Sequence, residues 1–144
     1  AEHPIHQPLL SNVVMNTLPL YAALLALLFV ALSIRTLRLR RRLRIGIGDA
    51  GNEQMLRAMR VHSNFAEYVP LTLLLIYLAE AHGAHALFIH ALGLCLLAGR
   101  LSHAYGVSQA NENYTFRVVG MSMTFISLIS ASAYLLFSYS RTFA

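Results

Sequence analysis

The sequence predicts an all-α integral membrane protein, a bundle of four transmembrane helices formed by a single domain of 144 residues. Hydrophobic residues make up 57% of the chain and charged residues only 12%, whereas soluble domains carry about 25% charged residues. Long stretches also lack any charged residue, at 13–34, 68–79, 81–99 and 118–140. These observations together exclude a soluble globular domain.

Each predicted helix is built around one of these stretches, because a helix needs about 20 residues to cross the hydrocarbon core. The second stretch is too short alone, so its helix must begin before the membrane, near Asn52, a residue type that favours helix N-caps. The predicted helices cover 13–37, 52–80, 84–105 and 115–139, with a basic loop at about 38–51. The first residues lack the basic region of a signal peptide, so we expect the first apolar stretch to remain as a span.

The arginines predict how the chain is oriented. Six of them fall within 35–44, whereas the first 34 residues contain none. By the positive-inside rule the basic loop lies in the cytoplasm and both termini lie outside it, as expected for a bacterial inner membrane protein. Arginines beside a bilayer contact anionic head groups, so membrane lipids, and not nucleic acid, are the predicted partners.

A polar stripe runs along the second predicted helix before its apolar half. At about 100° per residue, Glu53, Arg57, Arg60, Asn64 and Glu67 share one face, and the neighbouring Tyr68 borders it. Ionisable groups are costly to expose to lipid, so this face should line a bundle interior or a wet cavity.

Further basic residues should meet this stripe at the same depth. The third helix ends with Arg100 and His103, and the fourth begins with Arg117. A single carboxylate, Glu67, cannot balance Arg60, Arg100 and Arg117, so the layer should attract an anion. Guanidinium groups bind carboxylates, and a nearby positive charge lowers the pKa of a thiol. The layer therefore suits a small acidic thiol.

A structural alternative exists for the same residues. The arginines would then reach lipid head groups, and Glu67 would pair with one of them to hold helices together. Cys95 is the only cysteine, so the chain can form neither an internal disulfide nor a thiolate metal cage.

The spacing Arg57-x-x-Arg60-x-x-x-Asn64-x-x-Glu67-Tyr68-x-Pro70 resembles the helix 2 signature of the MAPEG family, the membrane-associated proteins in eicosanoid and glutathione metabolism. GRLSHAYG resembles the end of the family's helix 3, and FRVVG resembles the start of its helix 4. The resemblance covers nearly the whole chain and points to a bacterial-type member similar to the microsomal glutathione transferases.

The resemblance implies a homotrimer of four-helix bundles that binds glutathione between subunits near the cytoplasmic surface. Glu67 would meet the amino group of glutathione, the arginines its carboxylates, and Arg117 would stabilise the thiolate. The residues implied to bind glutathione or line its site are Arg38, Arg60, Asn64, Glu67, Tyr68, Arg100 and His103. Two features depart from the family pattern: Val107 stands where several relatives have a tyrosine, and the loop before Arg117 is longer. A pocket with fewer hydroxyls would bind glutathione more weakly.

The implied function is a glutathione-dependent membrane transferase that needs no metal. Its thiolate would attack a hydrophobic electrophile, or reduce a lipid hydroperoxide, that arrives from the bilayer. One alternative is a non-catalytic lipid-binding or scaffolding member of the same family. Another is a small haem protein, because His62 and His103 lie at one side of the membrane and three histidines, His82, His85 and His90, at the other.

Overall fold

The computed structural model describes residues 17–111 and 113–143, and side chains as far as Arg141. This part of the chain forms four α-helices: α1 (Leu18–Leu43), α2 (Glu53–Ala81), α3 (Ala86–Ser108) and α4 (Tyr114–Phe143). The predicted all-α architecture is confirmed. Within the described ranges, α1, α3 and α4 are long and apolar enough to span a membrane. The α2 helix falls short of that threshold because its polar stripe reaches its middle.

The main difference from the predicted boundaries lies in the arginine run. It was expected to begin the loop at about 38, but α1 continues through it and ends at Leu43. Arginine favours helices, and positive charge near a helix C-terminus is stabilised by the helix dipole. The helix stops where Arg44 adopts a left-handed conformation, with φ at 56°. The predicted residues 13–16 lie outside the described residues.

The start of α2 follows the sequence prediction. The Asn52 side chain accepts a hydrogen bond from the Met55 N–H at 2.9 Å, so Asn52 caps the helix. The remaining predicted boundaries differ from the observed ones by a few residues, as helix ends commonly do.

The four helices run alternately up and down. At the arginine-rich end, where α1 ends and α2 begins, Arg42 donates to Gln54 Oε1 at 2.8 Å. Deeper in the bundle, the His62 ring stacks on Phe29 of α1 with ring centroids 4.8 Å apart. A main hydrophobic cluster extends along the bundle and includes Leu25, Ile76 and Ile89. A smaller cluster of Leu39, Met55 and Ala58 lies at the arginine-rich end.

Glycines bring α3 and α4 into close contact. A Cβ on Gly120 would lie 2.6 Å from both the Gly99 carbonyl oxygen and the His103 backbone nitrogen. A Cβ on Gly106 would lie 2.9 Å from the backbone nitrogen of Arg117. Such approaches are possible only without side chains, as in other closely packed membrane helices. These glycines set the first turns of α4 directly against α3.

A buried carboxylate holds the start of α1. Glu80, near the end of α2, is 7% exposed, and its oxygens accept hydrogen bonds from the backbone N–H groups of Thr17 and Leu18 at 3.0 and 3.2 Å. Backbone donors in the first turn of a helix have no partner within the helix, and a negative charge there is favourable. The sequence pattern did not predict this role for Glu80.

Replacing Glu80 with glutamine should destabilise the fold. Glu80→Gln keeps the shape but removes the charge that faces the α1 terminus, so we expect a loss of about 1–2 kcal/mol in the free energy of unfolding. Reversible unfolding in detergent micelles would measure it. The matched control is Glu67→Gln on the same helix, where the side chain is exposed and has no ion pair with a described residue. Equal effects of the two substitutions would contradict the capping role.

Adding one methyl group at the α3–α4 crossing should also be costly. Gly120→Ala forces the helices apart, and overpacking of this kind costs about 1–3 kcal/mol. Ser122→Ala places the same side chain on an exposed position of α4 and should change little. Thermal unfolding of the two variants in detergent makes the comparison. An unchanged midpoint for Gly120→Ala would show that the crossing is not tight.

Candidate functional site

A cleft opens between α2, α3 and α4 in the arginine-rich half, with a volume of about 250 Å³. All five residues of the predicted polar stripe line it, so the face assigned to the stripe is confirmed as the wall of a cavity. The cleft is lined by Glu53, Leu56, Arg57, Arg60, Ser63, Asn64, Glu67, His103, Val107 and Arg117. We call it the α2–α3–α4 cleft.

The charges in this cleft are only partly balanced. Arg57 donates to Glu53 Oε1 at 2.8 Å, one turn along the same helix, so one arginine is paired. Neither Arg60 nor Glu67 forms an ion pair with any residue in 17–111 or 113–141. The structural alternative, in which Glu67 pairs with an arginine to hold helices together, is therefore not what the described residues show. Arg117 adds a further guanidinium to the same wall.

Local contacts hold the turn of α4 that carries Arg117. The Asn113 side chain accepts a hydrogen bond from the Thr115 N–H at 3.0 Å, as an N-cap does. The Phe116 ring meets Tyr105 of α3 edge-to-face, with centroids 5.1 Å apart. Ser102 of α3 donates to the Phe116 carbonyl at 2.9 Å. These contacts fix the direction in which Arg117 leaves the helix.

Arg100 does not line the cleft as expected. Its side chain is only 2% exposed and lies behind Asn64, where Nη1 donates to Asn64 Oδ1 at 2.7 Å. Its Nη2 faces the Gly120 carbonyl at 3.4 Å and the Met121 sulfur at 3.3 Å on α4. Arg100 sits one turn before His103, so it was expected beside it. The close α3–α4 crossing encloses it instead.

Two other predicted residues lie away from this cleft. Arg38 belongs to a second cleft of about 530 Å³ along α1, which Arg35, Arg42 and Gln54 also line. Tyr68 packs edge-to-face on Phe125 of α4, with centroids 5.6 Å apart. Within one chain the structure thus brings together Arg60, Asn64, Glu67, His103 and Arg117, but not Arg38 or Tyr68.

The two histidines that the haem alternative places at the same side of the membrane, His62 and His103, have different surroundings. His62 lies against α1, where its Nε2 is 3.0 Å from Ser33 Oγ. His103 is buried and lines the α2–α3–α4 cleft on the other face of α2. They therefore do not face one another across a common space.

The cleft also includes residues that the pattern did not single out. Ser63 and Leu56 flank the stripe on α2, and they would be found by widening the helical face by one position on each side. Gly106 and Gly120 carry no chemistry, yet they decide how close Arg117 comes to α3. Val107, noted as a departure from the family, does line the cleft, so that wall offers no hydroxyl at this position.

Comparison with known proteins finds a matching family and similar sequences. The family model for the MAPEG family matches residues 18–137, which include α1, α2, α3 and most of α4. The chain belongs to the MAPEG family. The inner membrane protein YecN of Escherichia coli (strain K12) is 39% identical over 110 residues, which cover 76% of this chain and 82% of that protein. YecN of Escherichia coli O6:H1 matches with the same values.

Membership in the MAPEG family, together with three apolar helices of spanning length in the described residues, makes this chain a membrane protein. A glutathione-related membrane function is what the family suggests.

Proposed function

We propose that this protein is a glutathione-dependent membrane transferase, which conjugates glutathione to hydrophobic electrophiles or reduces lipid hydroperoxides. The observation that carries the proposal is the charge arrangement in the α2–α3–α4 cleft. Arg60 and Arg117 line the same cavity as Glu67, and Glu67 has no ion pair among the described residues. A cavity of this kind favours a ligand with more negative than positive charge.

The charged groups of glutathione match those of the cleft in sign. It carries two carboxylates, one ammonium group and one thiol. Arg60 suits a carboxylate because a guanidinium can donate two parallel hydrogen bonds, and Glu67 suits the ammonium group. Arg117 is left for the sulfur. A stabilisation of about 1.4 kcal/mol lowers a thiol pKa by one unit from about 8.5, so one well-placed guanidinium makes thiolate common at neutral pH.

The chemistry then needs only positioning and charge stabilisation. In conjugation, the thiolate attacks an electrophilic carbon, the carbon–sulfur bond forms, and the leaving group departs or the addition product takes up a proton. In peroxide reduction, the thiolate attacks the terminal oxygen of the hydroperoxide, the O–O bond breaks, and the alkoxide takes a proton. The glutathione sulfur then carries a hydroxyl group as a sulfenic acid. The thiol of a second glutathione attacks this sulfur, which gives the disulfide and water. The hydrophobic electrophile and the lipid hydroperoxide would both reach the site from the bilayer.

A single chain offers only part of such a site, which supports a homotrimer. The cavity of about 250 Å³ lies below the range of about 300–1,000 Å³ typical of small-molecule pockets. Glu67 lies fourteen residues into α2, about 21 Å along the helix axis, and is exposed on the single chain. A carboxylate at that depth is costly to leave facing lipid, so we infer that another copy covers it.

The spacing along α2 supports the same inference. The polar stripe continues into leucines of the apolar half of α2, at alternating steps of three and four residues. This spacing is the repeat of helices that pack along their length against a partner helix. The full series is Glu53, Arg57, Arg60, Asn64, Glu67, Leu71, Leu74 and Leu78. A neighbouring subunit that packs there with its α1 would bring its own Arg38 toward the glutathione site.

We further propose inner-membrane placement with the arginine-rich end in the cytoplasm, as YecN is named an inner membrane protein.

Glutathione should stabilise the purified protein, and Arg117 should be needed for chemistry. We expect millimolar glutathione to raise the midpoint of thermal unfolding in detergent. Arg117→Ala should bind glutathione within a few-fold of the native protein but lose at least about 100-fold in conjugation of a model electrophile, because a lost charge stabiliser costs about 3 kcal/mol. Arg141→Ala, at the far end of the same helix, is the matched control and should stay active.

An unchanged unfolding midpoint at millimolar glutathione would contradict the enzyme proposal. Co-purified lipid without glutathione affinity would then favour the lipid-binding or scaffolding role. A Soret absorption band in the purified protein would favour haem.

Truncation of the leucine half of the α2 series should weaken the trimer. Leu71 and Leu74 are each 52% exposed on the single chain, and in the trimer they would pack against the neighbour. The double variant Leu71→Ala with Leu74→Ala should lower the trimer fraction, measured by native mass spectrometry from detergent. Ile126→Ala with Ile129→Ala on α4 removes comparable exposed surface and should leave it unchanged. Equal trimer fractions would place the interface elsewhere.

A further inference from the structure

Arg100 is a buried cation without a carboxylate partner in the described residues. It is 2% exposed, and its Nε has no hydrogen-bond partner within those residues. Its shortest contact is the 2.7 Å hydrogen bond from Nη1 to Asn64 Oδ1, a length typical of a charge-assisted bond. A buried guanidinium is expensive, so its retention at this point indicates a task that a neutral side chain would not perform.

The contact with Arg100 decides which way the Asn64 amide points. A guanidinium has only donors, so the amide atom that faces it must be the oxygen. The amide nitrogen Nδ2 then lies on the other side of the group. It donates to no described residue, and Asn64 is itself part of the cleft wall. Asn64 therefore presents its Nδ2–H donor to the cleft, while its Oδ1 acceptor faces Arg100.

We propose that Arg100 is a positioning residue that fixes the Asn64 amide with its Nδ2–H toward the cleft, so that the site requires an acceptor oxygen of its ligand there. The inference rests on the proposed function and adds a specificity rule to it. The carbonyl and carboxylate oxygens of glutathione satisfy the rule, whereas its ammonium group does not. The ammonium group is thereby left to Glu67, one turn further along α2, which has no ion pair among the described residues.

The same side chain ties α4 to the site. Arg100 Nη2 approaches the Gly120 carbonyl, and Gly120 lies three residues after Arg117 on α4. Because a single planar guanidinium contacts both Asn64 and α4, it sets the donor of Asn64 and the start of α4 in one fixed arrangement. Loss of Arg100 would therefore remove the contact to Asn64 and the contact to α4 together.

A double-mutant cycle on glutathione affinity tests the coupling. Arg100→Met should weaken glutathione binding at least tenfold, measured by titration calorimetry on the detergent-purified protein. In the Asn64→Ala background the same substitution should cost less than threefold, because the group through which Arg100 acts is gone. Arg100→Lys keeps the charge and a donor for Asn64 but cannot also reach the Gly120 carbonyl, so it should recover only part of the native affinity. Additive losses, or an Arg100→Met protein that binds as the native one does, would overturn the proposal.

A second variant tests whether the cleft needs a donor at position 64, and it leaves the buried Arg100 in place. Asn64→Asp keeps Arg100 paired, so it should fold, but it presents an acceptor to the cleft and should weaken glutathione binding at least tenfold. Ser63→Asp adds the same charge to the cleft wall without contacting Arg100, and its loss should be smaller. Unchanged or tighter binding by Asn64→Asp, or equal losses in the two variants, would overturn the inference.

The two levels of failure are distinct. No binding of glutathione by the native protein would overturn the proposed function and this inference with it. Binding by the native protein with additive losses in the cycle would overturn the role of Arg100 alone.

Discussion

The structure depends on the cost of holding charged groups at the depth of a hydrocarbon layer. Guanidinium and carboxylate groups on α2 cannot face lipid cheaply, so one face of this helix must be covered by protein or water. In the described part of the chain, that face lines a cavity between α2, α3 and α4. The apolar faces of α1 and α4, which include Leu27 and Ile129, are left for lipid or a partner. The placement of the remaining helices follows from this constraint.

Two glutamates of α2 show how the same side chain takes different roles. Glu80 is buried and accepts hydrogen bonds from the backbone at the start of α1, so its charge is used by the fold. Glu67, thirteen residues earlier, is exposed in a cleft and forms no ion pair with a described residue. A carboxylate satisfied by backbone donors is structural, whereas one that lines a cleft without an ion pair among the described residues suits the ligand-binding role proposed for Glu67. Burial and partners, and not residue type, separate the two.

Small residues set the distances on which the site depends. Gly99 and Gly120 allow α3 and α4 to approach until their backbones touch, and Gly106 does the same beside Arg117. This closeness encloses Arg100 between the helices and lets it contact Asn64 and α4 together. The catalytic chemistry proposed for Arg117 therefore relies on glycines that carry no chemistry of their own. A bulkier α3–α4 contact would separate the donors that one small anion must reach at once.

Composition and periodicity were sufficient for the fold class, the four helices and the face of α2 that lines the cleft. These properties depend on residues close in sequence, since apolar length and a 3.6-residue repeat can be read along one helix. The pattern could not show that Arg100 lies behind Asn64, that Glu80 caps α1, or that Arg38 lies in another cleft of the same chain. Those outcomes depend on how far apart α3, α4 and α1 pack, which is decided by contacts between residues distant in sequence. The residues of the candidate site could thus be read locally, but which of them line the α2–α3–α4 cleft was decided by tertiary packing.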